Sequence, residues 1–134
     1  MNEIEPTITA YFEAINGERY DRAAALFAPG AELIAPGIEP LSEPAEIESY
    51  FAAALRPYPE HRDEVTRTIL AGRTATVEIH FRGALASGQA LEFDAVDVFD
   101  CDEEGRIVRL STWYDSHAVR ARLRRALAAG EAAG

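Results

Sequence analysis

Apolar residues recur at helical spacing in the first part of the chain and switch to strict alternation in its second half. Ile4, Ile8, Tyr11, Phe12 and Ile15 fall three and four residues apart, the single stripe of an amphipathic helix over about 5–17. Pro6 suits its first turn, where a missing N–H costs nothing, and Asn16-Gly17 ends it. A second short helix, Tyr20 to Ala28, presents Ala23, Leu26 and Phe27 and is predicted to stop at Pro29-Gly30. Ala31 to Ala35 reads as a brief strand, and Pro36 to Leu41 as a loop. Ser42 is placed to cap a third helix running to about Arg56, with Ile47, Tyr50, Phe51 and Leu55 on its inner face.

The period then changes from 3.6 to 2. Val65–Leu70, Thr74–Arg82, Gln89–Cys101 and Arg106–Tyr114 are predicted strands separated by short turns. Alternation is cleanest in the second, where Ala75, Val77, Ile79 and Phe81 share one face and Thr74, Thr76, Glu78, His80 and Arg82 the other. A last helix starts at Ser116 and carries Val119, Leu123 and Leu127, with fraying expected over Ala128–Gly134. Helices first and an antiparallel meander afterwards predict one α+β domain over residues 1–134, with helices on one sheet face. So few helices cannot cover both faces, so the outer one, with Val96 and Val98, is a candidate homodimer surface.

Composition narrows the function classes. The 134 residues allow one hydrophobic core, and 48% hydrophobic with 27% charged residues is a globular balance. A net charge of −10 disfavours nucleic acid and anionic membranes, which need a positive surface. The final helix runs against this trend, with Arg120, Arg122, Arg124 and Arg125 opposed by Glu131, and reads as a solvated face rather than a basic binding patch. No basic n-region with an apolar h-region opens the chain and no apolar run approaches the ~20 residues of a membrane span, so a cytoplasmic protein is expected. A single cysteine, Cys101, excludes an internal disulfide framework and a multi-cysteine zinc site. No two of His61, His80 and His117 have helical ligand spacing, and no P-loop, GxGxxG or nucleophile elbow occurs, so neither metal nor cofactor is expected.

The candidate chemistry starts from strand parity. Leu91, Phe93, Ala95, Asp97 and Phe99 share one face, so a carboxylate interrupts an apolar row. Burial disfavours its charged form, and a carboxyl kept neutral can donate a hydrogen bond to a developing oxyanion. Tyr11 sits on the apolar stripe of the first helix, where its hydroxyl needs a partner. A structural Tyr–Asp hydrogen bond inside the core is the alternative. His61, in Tyr58-Pro59-Glu60-His61-Arg62, is placed in a loop that could overhang a pocket mouth, whereas His80 falls on a polar strand face and His117 in the first turn of the last helix. Phe12, Tyr50, Phe81 and Tyr114 are candidate pocket walls. Tyr114 and Trp113 must point to opposite faces, Trp113 outward.

The segment Tyr11-Phe12-Glu13-Ala14-Ile15-Asn16-Gly17 followed by Ala24–Leu33, and the closing run Asp97-Val98-Phe99, Gly105–Leu110 and Trp113-Tyr114-Asp115, resemble the SnoaL-like polyketide cyclase and ketosteroid isomerase family, of the nuclear transport factor 2-like superfamily. The resemblance covers nearly the whole chain. It implies a cone-shaped α+β barrel, a curved antiparallel (mixed) sheet with N-terminal helices enclosing an apolar pocket for a small hydrophobic molecule. It implies an oxyanion-binding pair at Tyr11 and Asp97, while the position of the isomerases' proton-shuttling base, just before a proline at the end of the first strand, is Ala35 before Pro36. In SnoaL-like cyclases a catalytic Asp lies ten residues after the glycine of the last hairpin turn, and Gly105 to Asp115 keeps that spacing. Asp115 also directly precedes Ser116-His117-Ala118-Val119, where Asp is a favoured helix N-cap. Limonene-type epoxide hydrolases carry Arg-x-Asp where this chain has Ala95-Val96-Asp97. The resulting expectation is a cofactor-independent enzyme using Tyr11 and Asp97 on a carbonyl compound, with Asp115 or His61 as proton shuttle. A ligand-binding or dimerisation domain of the same fold is the competing expectation.

Overall fold

The computed structural model describes residues 3–133; Met1, Asn2 and Gly134 lie outside it. Helix α1 (Glu5–Asn16) has Pro6 in its first turn and buries Ile8, Tyr11, Phe12 and Ile15, the stripe read from the spacing. The Thr7 hydroxyl donates to the Gly105 carbonyl at 2.6 Å, tying this helix to a distant turn.

Helix α2 covers only Tyr20–Ala25, and strand β1 (Phe27–Ile34) begins where helix was expected to continue. The reason is tertiary. Leu26 offers its carbonyl to the Ile107 N–H at 2.9 Å, and Phe27 pairs with Ile107, so the Leu-Phe pair serves the sheet rather than the helix. Pro29-Gly30 is not a helix stop but part of a bulge between Phe27 and Glu32, with Gly30 at φ 78°, where a side chain would be strained. Helix α3 (Pro44–Leu55) also corrects an expectation. Its N-cap is Glu43, without a side-chain cap bond, and the start relies on Pro44 with its pre-set φ rather than on Ser42.

Strands β2 (Glu60–Ala71), β3 (Thr74–Ala84), β4 (Ala90–Cys101) and β5 (Ile107–Trp113) form an antiparallel meander, and β1 joins its far edge parallel to β5. The order β1-β5-β4-β3-β2 makes a mixed, curved sheet that does not close on itself; helices complete the cone. β2 starts five residues earlier than the alternation suggested, which moves His61 from a loop into a strand.

Along β3 every second residue is buried, from Ala75 to Gly83, as its parity required. Ala75, Val77 and Ile79 meet Phe99, Ile107 and Leu110 and the helical stripes of α1 and α3 in the main core. Helix α4 (Ser116–Ala133) packs Val119 and Ala126 against Tyr58, Phe81, Leu85 and Leu91 in a second cluster and runs to Ala133, with Gly134, the last residue of the segment expected to fray, outside the described residues. Leu127, assigned to the same stripe, is exposed. On the outer sheet face Val96 and Val98 are half-buried, while Trp113 and Ile69 are exposed. No described helix is long and apolar enough to cross a membrane.

Candidate functional site

Between α1, α3, α4 and the inner sheet face lies a cavity of about 220 Å³. Its wall follows from two periodicities: alternate residues of β3, β4 and β5 point into it, and the stripes of α1 and α3 close it from above. Most of that wall is hydrocarbon and aromatic ring, with Phe81 and Phe93 stacked at 4.8 Å, Tyr114 against Phe93 at 5.2 Å, and Tyr58 edge-on to Phe81 at 5.0 Å. Tyr58 occupies the space above Gly83, where an added Cβ would come within 2.6 Å of its ring.

Asp97 enters this wall from β4 and is 5% exposed. Burial pushes its carboxyl up to about 7, opposed by a hydrogen bond from the Thr112 hydroxyl across the sheet and reinforced by the charge of Asp63. Tyr11 enters from α1. Burial, then the Asp97 and Asp63 charges, hold its phenol well above the usual tyrosine range, so it is a donor at any ordinary pH. Tyr11 packs its ring against Phe12, Phe51 and Phe99 at 5.0–5.8 Å, which fixes where the hydroxyl points.

The structure places Tyr11, Asp97, Tyr50, Phe81 and Tyr114 together on the cavity wall and turns Trp113 to the opposite face. Three other candidates lie elsewhere. Phe12 is buried against Phe99 at 5.9 Å and borders a groove between α1 and β2, not the cavity. Asp115 is exposed; its carboxylate accepts from the Ala118 N–H at 2.9 Å and caps α4, the second of the two roles the sequence allowed. His61 does not overhang the mouth. Its imidazole tucks under the α1–α2 turn, with Nε2 3.1 Å from Glu18 Oε1 and 3.5 Å from the Tyr20 hydroxyl, and with Nδ1 buried and unpartnered. Ala35 is buried immediately after β1.

A second acid on the wall escaped the sequence reading. Asp63, on β2, lines the cavity, and burial raises its carboxyl to about 6 against a lowering contribution from His61. Asn16 brackets its main chain, accepting from the Asp63 N–H at 2.7 Å and donating to its carbonyl at 3.0 Å. A signal was present: His61 and Asp63 alternate with Glu60, Arg62 and Glu64, a period of two that extends β2 upstream. Charge on both faces disguised it as a loop. Arg120 reaches the cavity from α4, whereas Arg122 donates to the Glu92 carbonyl at 2.8 Å, and Arg124 and Arg125 are exposed, as expected of a solvated face. Among the described residues no three of His, Cys, Asp and Glu gather as a metal-ligand set. His80, on the outer face, is held between Asp94 and Glu92 at 2.8 Å each.

A family profile described as a SnoaL-like domain matches residues 8–110. The architecture is shared with solved structures of low sequence identity. A nuclear transport factor 2-like protein of unknown function from Burkholderia pseudomallei K96243 superposes with a TM-score of 0.81 at 18% identity, covering 92% of this chain and 98% of its own. TerC, co-crystallised with polyporic acid, gives 0.80 at 15% identity over 92% and 99% of the two chains. A putative SnoaL-like polyketide cyclase from Jannaschia sp. CCS1 gives 0.78 at 18% identity over 88% and 89%. No curated protein matches the sequence.

Proposed function

The chain belongs to the SnoaL-like domain family, and from that premise we propose that it is a cofactor-independent acid–base enzyme for a small, hydrophobic, cyclic or polyketide-like carbonyl compound. One observation carries the reading: the Tyr11 hydroxyl and the Asp97 carboxyl share a cavity wall that is otherwise mostly apolar. A ketone entering this space finds two donors for its oxygen. The enolate that follows is stabilised more than the ketone, because both donors are already oriented and water is largely excluded. Isomerisation, cyclisation and dehydration all pass through such a species. The small molecule bound in the TerC crystals supports a ligand of that scale here.

The test uses proton exchange at the carbon beside a carbonyl, followed by NMR in D2O across a panel of cyclic ketones that includes 2-tetralone. Tyr11→Phe and Asp97→Asn should each slow exchange by at least ~10²-fold while the fold is kept. Wild-type rates in both variants would refute the proposal. A second reading, a domain that only binds a hydrophobic ligand, draws on the buried Ala35 at the position of the isomerases' base. It expects ligand-dependent thermal stabilisation by ketones or phenols and no exchange. The proposal also places the protein in the cytoplasm, testable by cell fractionation, and pairs two copies through the outer sheet face.

A further inference from the structure

Ala35 leaves the proposed enzyme without a base at the position where the isomerases keep one. We infer that Asp63 is the proton-accepting base of this site, held in place by Asn16. The inference rests on the carbonyl chemistry proposed above.

Three features of position support it. Asp63 lies on β2 and Asp97 on β4, so the two acids come to one cavity from different strands and can act on different atoms of a ligand. Asp63 also belongs to the lining of the groove between α1 and β2, beside Glu13, Asn16, Arg62 and Glu64. It therefore stands where the cavity meets a water-facing surface, which gives an abstracted proton a way out. Finally, the Asn16 amide binds both main-chain groups of Asp63 and makes no demand on its carboxylate. The clamp fixes the strand to the end of α1 and leaves the acid oxygens to the cavity, as a positioned base requires.

The surroundings divide the two acids by role. Tyr11 and Glu13 from α1, Glu18 from the following turn, Tyr20 from α2, His61, Arg62 and Glu64 from β2, and Asp97 from β4 are titratable groups around Asp63, and Tyr50 from α3, Arg120 from α4, Tyr58 and Tyr114 share its cavity. Of these, His61 favours its ionised form, and the Asp63 charge in turn favours the protonated form of Asp97. The two acids titrate as a coupled pair between about 6 and about 7, and His61 beside Asp63 favours the arrangement in which Asp63 carries the charge and Asp97 the proton. In that arrangement one acid accepts a proton while the other donates a hydrogen bond. In the step itself a C–H bond beside the carbonyl breaks and an O–H bond forms on Asp63. The electron pair moves onto the carbonyl oxygen, which accepts from Tyr11 and Asp97. Asp63 then returns the proton to another carbon or releases it to water.

The experiment follows α-proton exchange of 2-tetralone in D2O from pH 4.5 to 8.5, with binding of 2-naphthol by thermal shift as a check on fold and cavity. Asp63→Asn should slow exchange by ~10²–10⁴-fold, abolish the rise in rate near pH 6, and still bind 2-naphthol. Asp63→Glu, with the same chemistry on a longer arm, should recover part of the rate. Asn16→Ala should lower the rate without moving the limb near 6, as a positioning residue does. Exchange by Asp63→Asn within a few-fold of wild type, or an unchanged acidic limb, overturns the inference. If those results come with slow Tyr11→Phe and Asp97→Asn variants, the carbonyl reading survives and only the base is wrong. Absence of exchange by the wild type across the ketone panel overturns both.

Discussion

Asp97→Asn should make the protein more stable, by a margin that grows from pH 5 to pH 8. Asp97 is 5% exposed, and its carboxyl moves from an ordinary value of 3.8 to about 7 on folding, chiefly because burial penalises the charge. Between those two values the native state holds a proton that the unfolded chain has released. Stability therefore falls as pH rises across the window and levels off above about 7, where both states are ionised. At 1.36 kcal/mol per pH unit the window corresponds to about 4 kcal/mol, and relaxation or water entry at the ionised site reduces this to about 2–4 kcal/mol. Asparagine carries no charge and escapes the penalty. At pH 5 the native carboxyl is still neutral but the unfolded chain has already released its proton above 3.8, so about 1–2 kcal/mol of that difference is present there and the rest is added by pH 8. Urea unfolding of both proteins at pH 5, 6, 7 and 8, with matched m-values, reads the effect directly. A difference that stays flat with pH would refute the buried-acid account. A wild type favoured at pH 8 would mean that a cation pairs with Asp97. Higher stability combined with lost proton exchange would mark the carboxyl as kept for chemistry at the expense of the fold.

Two further outcomes follow from the placement of other residues. Asp115→Ala removes the bond to the Ala118 N–H and should cost about 0.5–2 kcal/mol in urea unfolding, while proton exchange in the cavity stays at the wild-type rate; loss of exchange with the fold intact would restore a catalytic role. Trp113→Glu puts a charge on the outer sheet face, where the indole is 48% exposed, and should convert a dimer to a monomer in sedimentation velocity; a monomeric wild type refutes pairing through this face.

Strand parity made much of the site legible in the sequence. Asp97 could be placed on an apolar face, and Tyr114 separated from Trp113, because alternation is local wherever a strand runs without a bulge. Helices carry less information of this kind. Tyr11 and Phe12 share one apolar stripe and are both buried, and only the roll of α1 against the sheet sends the tyrosine to the cavity and the phenylalanine to the core. The upstream half of β2 was hidden for another reason. His61 and Asp63 face inward among charged neighbours, and no hydrophobic contrast distinguishes that pattern from a loop. Asp115 kept a spacing seen in cyclases, but the chain leaves the sheet after Trp113, so spacing alone did not carry the side chain to the cavity.

The sequence by itself determined the order of most elements, the inward faces of β3 and β4 and the presence of an acid in an apolar row, because these depend on neighbours two to four residues apart. Tertiary structure decided where α2 yields to β1, which stripe residues reach open space, and that a second acid from a strand two away in the sheet joins the first. Those outcomes depend on sheet curvature and helix placement, which arise from contacts between residues tens of positions apart and leave no periodic trace in the chain.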